Sequence, residues 1–505
     1  MLSPIIKVKK RTFRCSAAAG LATLLILAAA GPEVFARSKG TQVRVYESSE
    51  SLKESLAGKT PLTFQPAATA KILIRIDDKQ EFQEMDGFGA SLTESSAWLL
   101  AKKLSPKQRK ELLIELFDPK KGIGLNILRQ PIGSSDFAVK DDYSFDDMPE
   151  GQSDPGLKNF SIVRDREFII PVLREALEVN HEIEIIGSPW SAPGWMKTSH
   201  SMIGGTLLPS AYESLARYFV QFVKQYEAAG VPIFAITPQN EPLNIPKDYP
   251  GMGMSAEEQT TFVRDNLGPA FRDAHLKTKI MIFDHNWDLM AFPKTVLSDS
   301  RAAAFVAGTA THCYGGSADA QTQLHNQFPD KEIWLTECSG GNWQKGDLLV
   351  SQAQLIIQTT QNWAKSVVLW NLALDQNHGP HVGGCYDCRG VVTIDDSASP
   401  SRVTPTVDFT ALSHASKFVF SGAHHIASTG AEQTGLEHVA FRNEDGSIVL
   451  LALNTGTEAI SFDIEWDGEF ASYTLEPGAV ATFVWQGKAD HKALTRAFEI
   501  LFMVA

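Results

Sequence analysis

Eight short apolar runs alternate with amphipathic stretches between Glu84 and Asp375, and this alternation constrains the fold more than any other feature. The runs are mostly rich in Ile, Val, Leu and Phe without clean alternation, which is typical of strands buried on both faces. The predicted strands are Met85–Leu92, Gly124–Pro131, Glu182–Ser188, Ile233–Pro238, Lys279–Asp284, Thr309–Tyr314, Glu332–Glu337 and Ser366–Leu372. Eight strand–helix units close a parallel barrel, so the sequence predicts an α/β fold of the (β/α)8 TIM-barrel type over residues 80–412. A doubly wound open sheet is the alternative.

Helix-start signals lie between the predicted strands. Ser105-Pro106 places proline at the first helical position. Ser210-Ala-Tyr-Glu213 and Ser255-Ala-Glu-Glu258 both match the capping box. Tyr212–Ala229 and Leu348–Trp363 show apolar residues at three- and four-residue steps, which predicts amphipathic helices.

The pattern changes after Ser413 to short strands with turn signals. The predicted strands are Val439–Arg442, Ser447–Asn454, Ala459–Ile464 and Ala479–Trp485, with a hairpin turn at Asp445-Gly446. This indicates a small antiparallel β-domain over residues 413–486, to which the extended segment 42–79 adds strands. The tail 487–505 has no assigned role.

The N-terminus has the pattern of a targeting segment. A basic region ending at Arg14 precedes the apolar run Ala17–Ala30, and Val34-Phe35-Ala36 offers a small-residue cleavage site. The run is shorter than the roughly 20 residues of a spanning helix. Residues 1–36 are therefore predicted to be a signal peptide of a secreted or periplasmic protein, with no integral membrane span after cleavage. An uncleaved membrane anchor is the alternative.

Charge and cysteine content narrow the class of protein. The formal net charge is −13, and an acidic surface repels phosphate backbones, so nucleic acid is not an expected partner. Removal of the signal peptide removes Cys15 and leaves four cysteines, an even number that suits an oxidising compartment.

Two glutamates follow apolar strands at the end of the barrel where function is expected. Glu241 comes after the fourth predicted strand and Glu337 ends the seventh. Two carboxylates that face one cavity can divide the work of glycoside cleavage, because one donates a proton to the leaving oxygen and the other attacks the sugar carbon. A solvated or salt-bridged glutamate is the ordinary interpretation of either residue alone.

Aromatic and polar side chains cluster at the same strand ends. The apolar faces of sugar rings stack on indole and phenol rings, which predicts a ligand with apolar faces and polar edges. The tryptophans at or after strand ends are Trp190, Trp195, Trp287, Trp343 and Trp370. The other candidate substrate-binding residues are Glu94, Arg129, Asn240, His312, Tyr314 and Asn371. Arg129 is a candidate for holding a carboxylate ionised, or for a structural ion pair.

Signatures of cofactor chemistry are weak or missing in the sequence. Gly87-Phe-Gly89 lacks the third glycine of a dinucleotide loop, and neither a Walker loop nor a Gly-x-Ser-x-Gly elbow occurs. His378, His381, Cys385 and Cys388 have a spacing that zinc could use, although a local disulfide or paired thiols in an exported protein is favoured. No cofactor and no metal are expected.

Five motifs in order resemble glycoside hydrolase family 30, the family of glucosylceramidase. They are Gly87-Phe-Gly-Ala-Ser-Leu-Thr93, Ser188-Pro-Trp-Ser-Ala-Pro-Gly-Trp-Met-Lys197, Thr237-Pro-Gln-Asn-Glu-Pro242, Leu335-Thr-Glu-Cys338 and Trp370-Asn-Leu-Ala-Leu374. The resemblance covers about Ile76 to Trp485. It implies a (β/α)8 barrel joined to a small β-sandwich domain formed from both chain ends.

The resemblance also implies roles for individual residues. Glu241 matches the acid/base, Glu337 the nucleophile, and Asn240 the partner of the sugar 2-hydroxyl. The residues that match the lining of the glucose subsite are Arg129, Trp190, Tyr314 and Trp370. Glu94 falls where glucosylceramidase has an aspartate that holds the far hydroxyls of glucose, so this chain departs from the family pattern there.

The expected function is that of a retaining β-glycosidase of the glucosylceramidase type, which hydrolyses a β-linked glycoside or glycolipid by double displacement. The same chemistry on β-1,6-glucan, β-xylosides or β-fucosides is the alternative. A further alternative is a carbohydrate-binding protein without catalysis. It is less favoured because binding alone needs no second carboxylate.

Overall fold

The computed structural model describes residues 40–487 except Glu50, Leu52 and Gln433. The predicted signal peptide and residues 488–505 of the predicted tail lie outside this part of the chain. Within it, no helix is long and apolar enough to cross a membrane.

Eight parallel strands close into a barrel, as predicted. In chain order they are Gly87–Ser91, Ile127–Pro131, Glu184–Ser188, Ala235–Ile236, Lys279–Asn286, Gly308–His312, Glu332–Glu337 and Ala364–Leu369. The eighth strand pairs with the first, with Leu369 opposite Ala90, so the sheet has no open edge. The open-sheet alternative is therefore wrong.

The barrel interior is a packed apolar layer. Seven of the eight strands each contribute one fully buried residue to it: Ile127, Ile186, Ala235, Met281, Ala310, Trp334 and Val368. Side chains that fill a barrel in this way leave no passage through it, so a ligand must bind at the carboxyl ends of the strands.

Helices connect the strands around the outside of the barrel. The α-helices are Glu94–Trp98, Pro106–Phe117, Ile169–Val179, Tyr212–Ala228, Ala256–Phe262, Gly268–Asp273, Ala291–Ser298, Ser300–Ala303, Asp319–Gln327, Leu348–Gln361 and Val407–Ser416. Ser105 and Ser255 form the reciprocal hydrogen bonds of a capping box. The capping box predicted at Ser210 is wrong, because Pro209–Ala211 forms a 3-10 turn and the following helix has no side-chain cap.

The second domain is a β-sandwich built from both ends of the chain. Its strands are Gln42–Ser49, Glu54–Gly58, Leu62–Thr63, Ile72–Glu84, His424–Thr429, Leu436–Arg442, Ser447–Asn454, Ile460–Trp466, Glu469–Leu475 and Val480–Gln486. The first strand pairs antiparallel with the last, and Ile72–Glu84 pairs parallel with Ile460–Trp466. A separate apolar core that includes Phe64, Trp466 and Trp485 lies within this domain.

The two domains share elements at their border. The helix Val407–Ser416 crosses the predicted boundary at residues 412 and 413, and the strand Ile72–Glu84 runs past residue 79. His414 of this helix hydrogen-bonds Ser48 and Thr482 of the sandwich through its two ring nitrogens. The predicted boundaries therefore fall a few residues inside continuous elements.

Candidate active site

A cavity of about 620 Å³ opens at the carboxyl ends of the barrel strands. Its size is in the range of small-molecule binding sites. The residues that line it include Asp136, Trp190, Asn240, Glu241, Asn244, Tyr249, His285, Tyr314, Glu337, Trp343 and Trp370. The structure thus brings together at one cavity the two glutamates predicted after the fourth and seventh strands.

One histidine lies between the two glutamates. Nδ1 of His312 is 3.1 Å from Oε1 of Glu241 and 3.9 Å from Oε1 of Glu337. The two carboxylate oxygens therefore cannot be farther apart than the sum of these distances. For this pair of oxygens the bound admits the roughly 5–5.5 Å separation of the carboxyl groups in retaining glycosidases.

Arg129 and Asp284 form a buried ion pair beneath the cavity. Arg129 Nη2 lies 2.8 Å from Oδ2 of Asp284, and its Nη1 lies 2.6 Å from Oε2 of Glu337. The same Nη2 donates a hydrogen bond to Oδ1 of Asn240 at 2.7 Å. Because Arg129 is completely buried, it fixes Glu337 and Asn240 to one rigid point.

Asp284 organises the ends of several strands, a role that the sequence analysis did not assign to it. Hydroxyl groups of Ser188, Thr237 and Thr336 donate to its carboxylate at 2.6 to 2.7 Å. Its other contacts are Arg129 and Nε2 of His312. Burial opposes its charge, but the Arg129 and His312 charges outweigh burial and hold the pKa of Asp284 well below its usual range.

The backbone at the site is held in an uncommon conformation. Glu241 has a φ of 43° and Asp284 a φ of 62°, both in the left-handed region. Non-glycine residues adopt this region at a cost of about 1 kcal/mol or more, and they persist in it where their surroundings fix them. The amide of Glu241 donates to the carbonyl oxygen of Asp284 at 2.9 Å, so the two strained residues hold each other.

His312 and Glu241 share one proton, and the surrounding charges determine which of the two groups holds it. Burial disfavours the charged ring, but the carboxylates of Glu337, Asp284 and Glu241 raise the pKa of His312 to about 9. Burial would raise the pKa of Glu241, but its hydrogen bond to His312 and the charge of that ring lower it to about 2. At neutral pH the proton of this pair therefore resides on His312, one hydrogen bond away from Glu241.

Glu337 differs from Glu241 in its surroundings. Burial raises its pKa above the ordinary glutamate value, and the charges of His312 and Arg129 only partly offset this effect. The hydroxyl of Tyr314 donates to Oε1 of Glu337 at 2.9 Å. Both carboxylate oxygens of Glu337 therefore have a donor, which fixes the plane of the group.

Two of the predicted tryptophans form one wall. The rings of Trp190 and Trp370 stack with centroids 5.0 Å apart, and the Arg129 guanidinium lies 4.9 Å from the Trp190 ring. Trp343 also lines the cavity and is 46% exposed. Trp195 does not line it, because its indole nitrogen donates to Asp146.

Four of the predicted substrate-binding residues do not line the cavity: three lie beneath it and one lies outside it. Arg129, His312 and Asn371 are completely buried below the residues that line it. The prediction that Glu94 contacts substrate is not supported by its position. Its carboxylate accepts a hydrogen bond from Val139 and pairs with Arg164 at 3.0 Å, so it fastens the loop after the second strand.

Asp136 also lines the cavity, although no pattern in the sequence indicated it. It is buried, and its Oδ1 has no hydrogen-bond partner among the described residues. Burial and the nearby charge of Glu337 raise the pKa of its carboxyl well above the ordinary value. Gly384 makes room for it, since a Cβ there would lie 2.4 Å from Asp136 Oδ2. A buried carboxyl oxygen without a partner at a cavity is an acceptor that a ligand hydroxyl can satisfy.

The predicted zinc alternative does not fit the loop after the eighth strand. Cys385 and Cys388 form a disulfide, so neither offers a thiolate ligand, and Nδ1 of His378 faces the carbonyl oxygen of Cys388. A second disulfide joins Cys313 to Cys338. Both bonds agree with the even cysteine count and the expected oxidising compartment.

A different group of side chains at the cavity has the atoms of a metal site. Glu241, His285 and His312 offer three ligand atoms within 4.8 Å of one another. Both ring nitrogens of His312 already face carboxylates, so an ion at this position would have to replace its hydrogen bond to Glu241.

Comparison with protein-family models decides the family. The model of the "Glycosyl hydrolase family 30 TIM-barrel domain" matches residues 85–419, and that of the family 30 "beta sandwich domain" matches residues 422–483. The chain belongs to glycosyl hydrolase family 30. It is therefore a glycoside hydrolase, and the two matched ranges meet just after the helix Val407–Ser416.

Relatives in family 30 include proteins of two described specificities. The chain is 34% identical to an endo-1,6-beta-D-glucanase of Neurospora crassa, over 91% of this chain and 96% of that protein. It is 31% identical to the lysosomal acid glucosylceramidase of Mus musculus, over 82% and 84%. A solved endo-beta1,6-glucanase superposes with a TM-score of 0.82 at 32% identity, over 88% of this chain and all of that one.

Proposed function

We propose that this family 30 hydrolase cleaves β-glucosidic bonds with retention, with Glu337 as nucleophile and Glu241 as general acid and base. The observation that carries the proposal is the placement of both carboxylates at one cavity, on either side of His312. Arg129 and Tyr314 orient Glu337 for attack on the sugar carbon. This arrangement favours catalysis over the alternative of a protein that only binds carbohydrate.

The proton for the leaving group starts on His312 in this proposal. As the glycosidic bond lengthens, the proton passes from Nδ1 of His312 to Glu241 and from Glu241 to the departing oxygen. In the second step Glu241 removes a proton from water, which attacks the glucosyl–Glu337 ester and releases the sugar with its β-configuration. His312 then recovers the proton through the same hydrogen bond.

The donor sugar fits the side of the cavity formed by Asp136 and the two stacked tryptophans. Trp190 and Trp370 offer apolar ring surface, while Asp136 and Asn240 offer polar atoms at its edge. Such a combination matches a hexose, which has apolar C–H faces and hydroxyls around its rim.

We further propose that the natural bond is the β-1,6 linkage of a glucan, rather than the glucosylceramide expected from the sequence. Four of the compared proteins are described as endo-1,6-beta-glucanases, at 29% to 34% identity. The mouse glucosylceramidase is related at 31%. The proposed site of action is outside the cytoplasm, since the N-terminal sequence has a signal-peptide pattern and two disulfides are present.

Side-by-side hydrolysis assays test this proposal. The substrates are a β-1,6-glucan, glucosylceramide, and aryl β-glucosides and β-xylosides. We expect the highest kcat/KM on the β-1,6-glucan, and NMR of the first product should show the β-anomer. A first product in the α-configuration contradicts retention, and a higher kcat/KM on glucosylceramide contradicts the linkage.

A further inference from the structure

A second cavity of about 520 Å³ adjoins the catalytic one and has no role in the mechanism above. The two cavities share Tyr314, Ser339 and Trp343 as lining residues. Its floor includes the disulfide between Cys313 and Cys338. Because Tyr314 also donates to Glu337, the second cavity begins directly beside the reacting groups.

The second cavity lies across the barrel mouth from the donor-sugar side. Its residues follow the fifth, sixth and seventh strands, whereas Asp136 and Trp190 follow the second and third. In a closed eight-stranded barrel the second and sixth strands are opposite each other. The second cavity therefore lies on the opposite side of the barrel mouth from a sugar held by Asp136.

The chemistry of the second cavity is polar but uncharged. None of the described residues that line it is acidic or basic, although 21% of the chain is charged. Four of the described lining residues are glutamines, and three of them, Gln352, Gln354 and Gln358, lie on the helix Leu348–Gln361. An uncharged wall of amides excludes phosphates, uronic acids and cations as favoured ligands, and it suits hydroxyl groups, which both donate and accept hydrogen bonds.

Hydrogen bonds to the sandwich hold two of these amides in place. Glu437 of the sandwich accepts a hydrogen bond from Nε2 of Gln354 at 2.5 Å and from Nε2 of Gln358 at 3.2 Å. Gln352 is 3% exposed, and its Oε1 has no hydrogen-bond partner among the described residues. A buried amide oxygen without a partner costs free energy, which a hydroxyl of a bound ligand can recover after a small side-chain rotation.

Exposed aromatic rings stand at the junction of the two cavities. Tyr314 is 43% exposed and Trp343 is 46% exposed. Both line both cavities, so a chain that passes from one cavity to the other runs along their rings. Rings beside amides suit the apolar face and hydroxyl rim of a pyranose, whereas an acyl chain would leave Oε1 of Gln352 unsatisfied.

We infer that the second cavity is a binding subsite for a sugar of the leaving chain, one unit beyond the sugar that accepts the proton. This inference rests on the proposed function and deepens it, because it makes the substrate an oligomeric β-glucan rather than a glycolipid. The occupant is a neutral glucosyl unit that packs on Trp343 and hydrogen-bonds the glutamine face of the helix.

Chain-length dependence tests the inference directly. We expect the wild-type protein to show a kcat/KM about tenfold higher for a β-1,6-linked glucotriose than for the disaccharide, from one hydrogen bond and one ring contact. Gln352→Met keeps the side-chain length and removes the amide, so it should remove most of this advantage and affect the disaccharide much less. Gln358→Met tests the same face at an exposed position, where folding tolerates the change.

Gln361→Met is the matched control. Gln361 lies on the same helix, donates to the carbonyl oxygen of His438 and does not line the second cavity, so the preference for the trisaccharide should stay. Equal kcat/KM for the two oligomers, or equal losses for both in Gln352→Met and Gln358→Met, overturns the subsite alone. A wild-type protein that hydrolyses aryl β-glucosides but neither oligomer overturns the proposed linkage, and the inference with it.

Discussion

His312 lies between two carboxylates and hydrogen-bonds both. Its ring contacts Glu241 through Nδ1 and Asp284 through Nε2, so both nitrogens face carboxylates. The general acid of the proposed mechanism therefore draws its proton from a pair of groups, and the pair titrates as a unit. The pH dependence of the reaction should follow this unit rather than an isolated glutamate.

The pH profile of kcat/KM with an aryl β-glucoside tests this pairing. The acidic limb reflects protonation of Glu337, whose raised pKa places the limb above the ordinary glutamate value. The alkaline limb reflects loss of the shared proton, which His312 holds with a pKa of about 9. In His312→Gln only the Glu241 carboxyl can hold that proton, so the alkaline limb should move down by more than one pH unit.

Asn244→Ala serves as a control for this profile, because Asn244 also hydrogen-bonds Glu241 but does not titrate. Its alkaline limb should stay close to that of the wild type. An unmoved alkaline limb in His312→Gln would show that the proton does not come from this histidine.

The strands of the barrel were predictable because they are buried on both faces and read as apolar runs. The fourth strand is the exception: Ile233–Pro238 was predicted, but only Ala235–Ile236 pairs in the sheet.

Asp136 was missed because it lies in the long loop after the second strand, where no periodic pattern marks side chains that turn inward. Glu94 was assigned to the site by its place after the first strand and by resemblance, but its carboxylate pairs with Arg164 instead.

At the scale of elements, the disulfide between Cys313 and Cys338 links the ends of the sixth and seventh strands. Cys313 follows His312 and Cys338 follows Glu337. The bond therefore holds together two residues that are neighbours in the site. The even cysteine count did not predict the pairing of Cys313 with Cys338, because residues 25 apart meet only when neighbouring parallel strands align.

Removing each disulfide separately should have unequal effects. Cys313→Ala with Cys338→Ala opens a loop of 25 residues, which predicts a loss of about 3 kcal/mol from the free energy of unfolding. Cys385→Ala with Cys388→Ala opens a loop with a sequence separation of only three residues. It should lower the free energy of unfolding by about 2 kcal/mol or less. Denaturant unfolding of both variants measures this, and a larger loss in the second variant would contradict the interpretation.

At the scale of the whole molecule, the sandwich is part of the hydrolase rather than an independent attachment. The main apolar core includes barrel residues together with sandwich residues such as Val439, Phe441 and Val484. His414 crosses the border with hydrogen bonds to Ser48 and Thr482, and burial lowers its pKa to about 3. Its neutral ring is thus a condition for the packing of the two domains.

The contribution of His414 to stability should therefore fall as the pH decreases below about 6.5. His414 takes up a proton with a pKa near 6.5 when unfolded and only near about 3 when folded, so the unfolded state binds more protons between these values. Between pH 7 and pH 5 we expect the melting temperature of the wild type to drop relative to that of His414→Gln, in a single transition that includes both domains. His414→Gln cannot titrate and should show a shallower drop, whereas an equally steep drop would exclude His414 as a cause.

The central claim is the division of roles between Glu337 and Glu241, and azide rescue tests it most directly. In Glu241→Ala the nucleophile remains, so a dinitrophenyl glucoside, which barely needs proton donation, should still form the glycosyl-enzyme. Azide should then enter the vacated space, restore turnover and give a β-glucosyl azide, and mass spectrometry should find the trapped sugar on the peptide of Glu337. Glu337→Gln should lose activity by several orders of magnitude without rescue to a β-product. A label on Glu241, or azide rescue of the Glu337 variant to the β-product, would contradict the account.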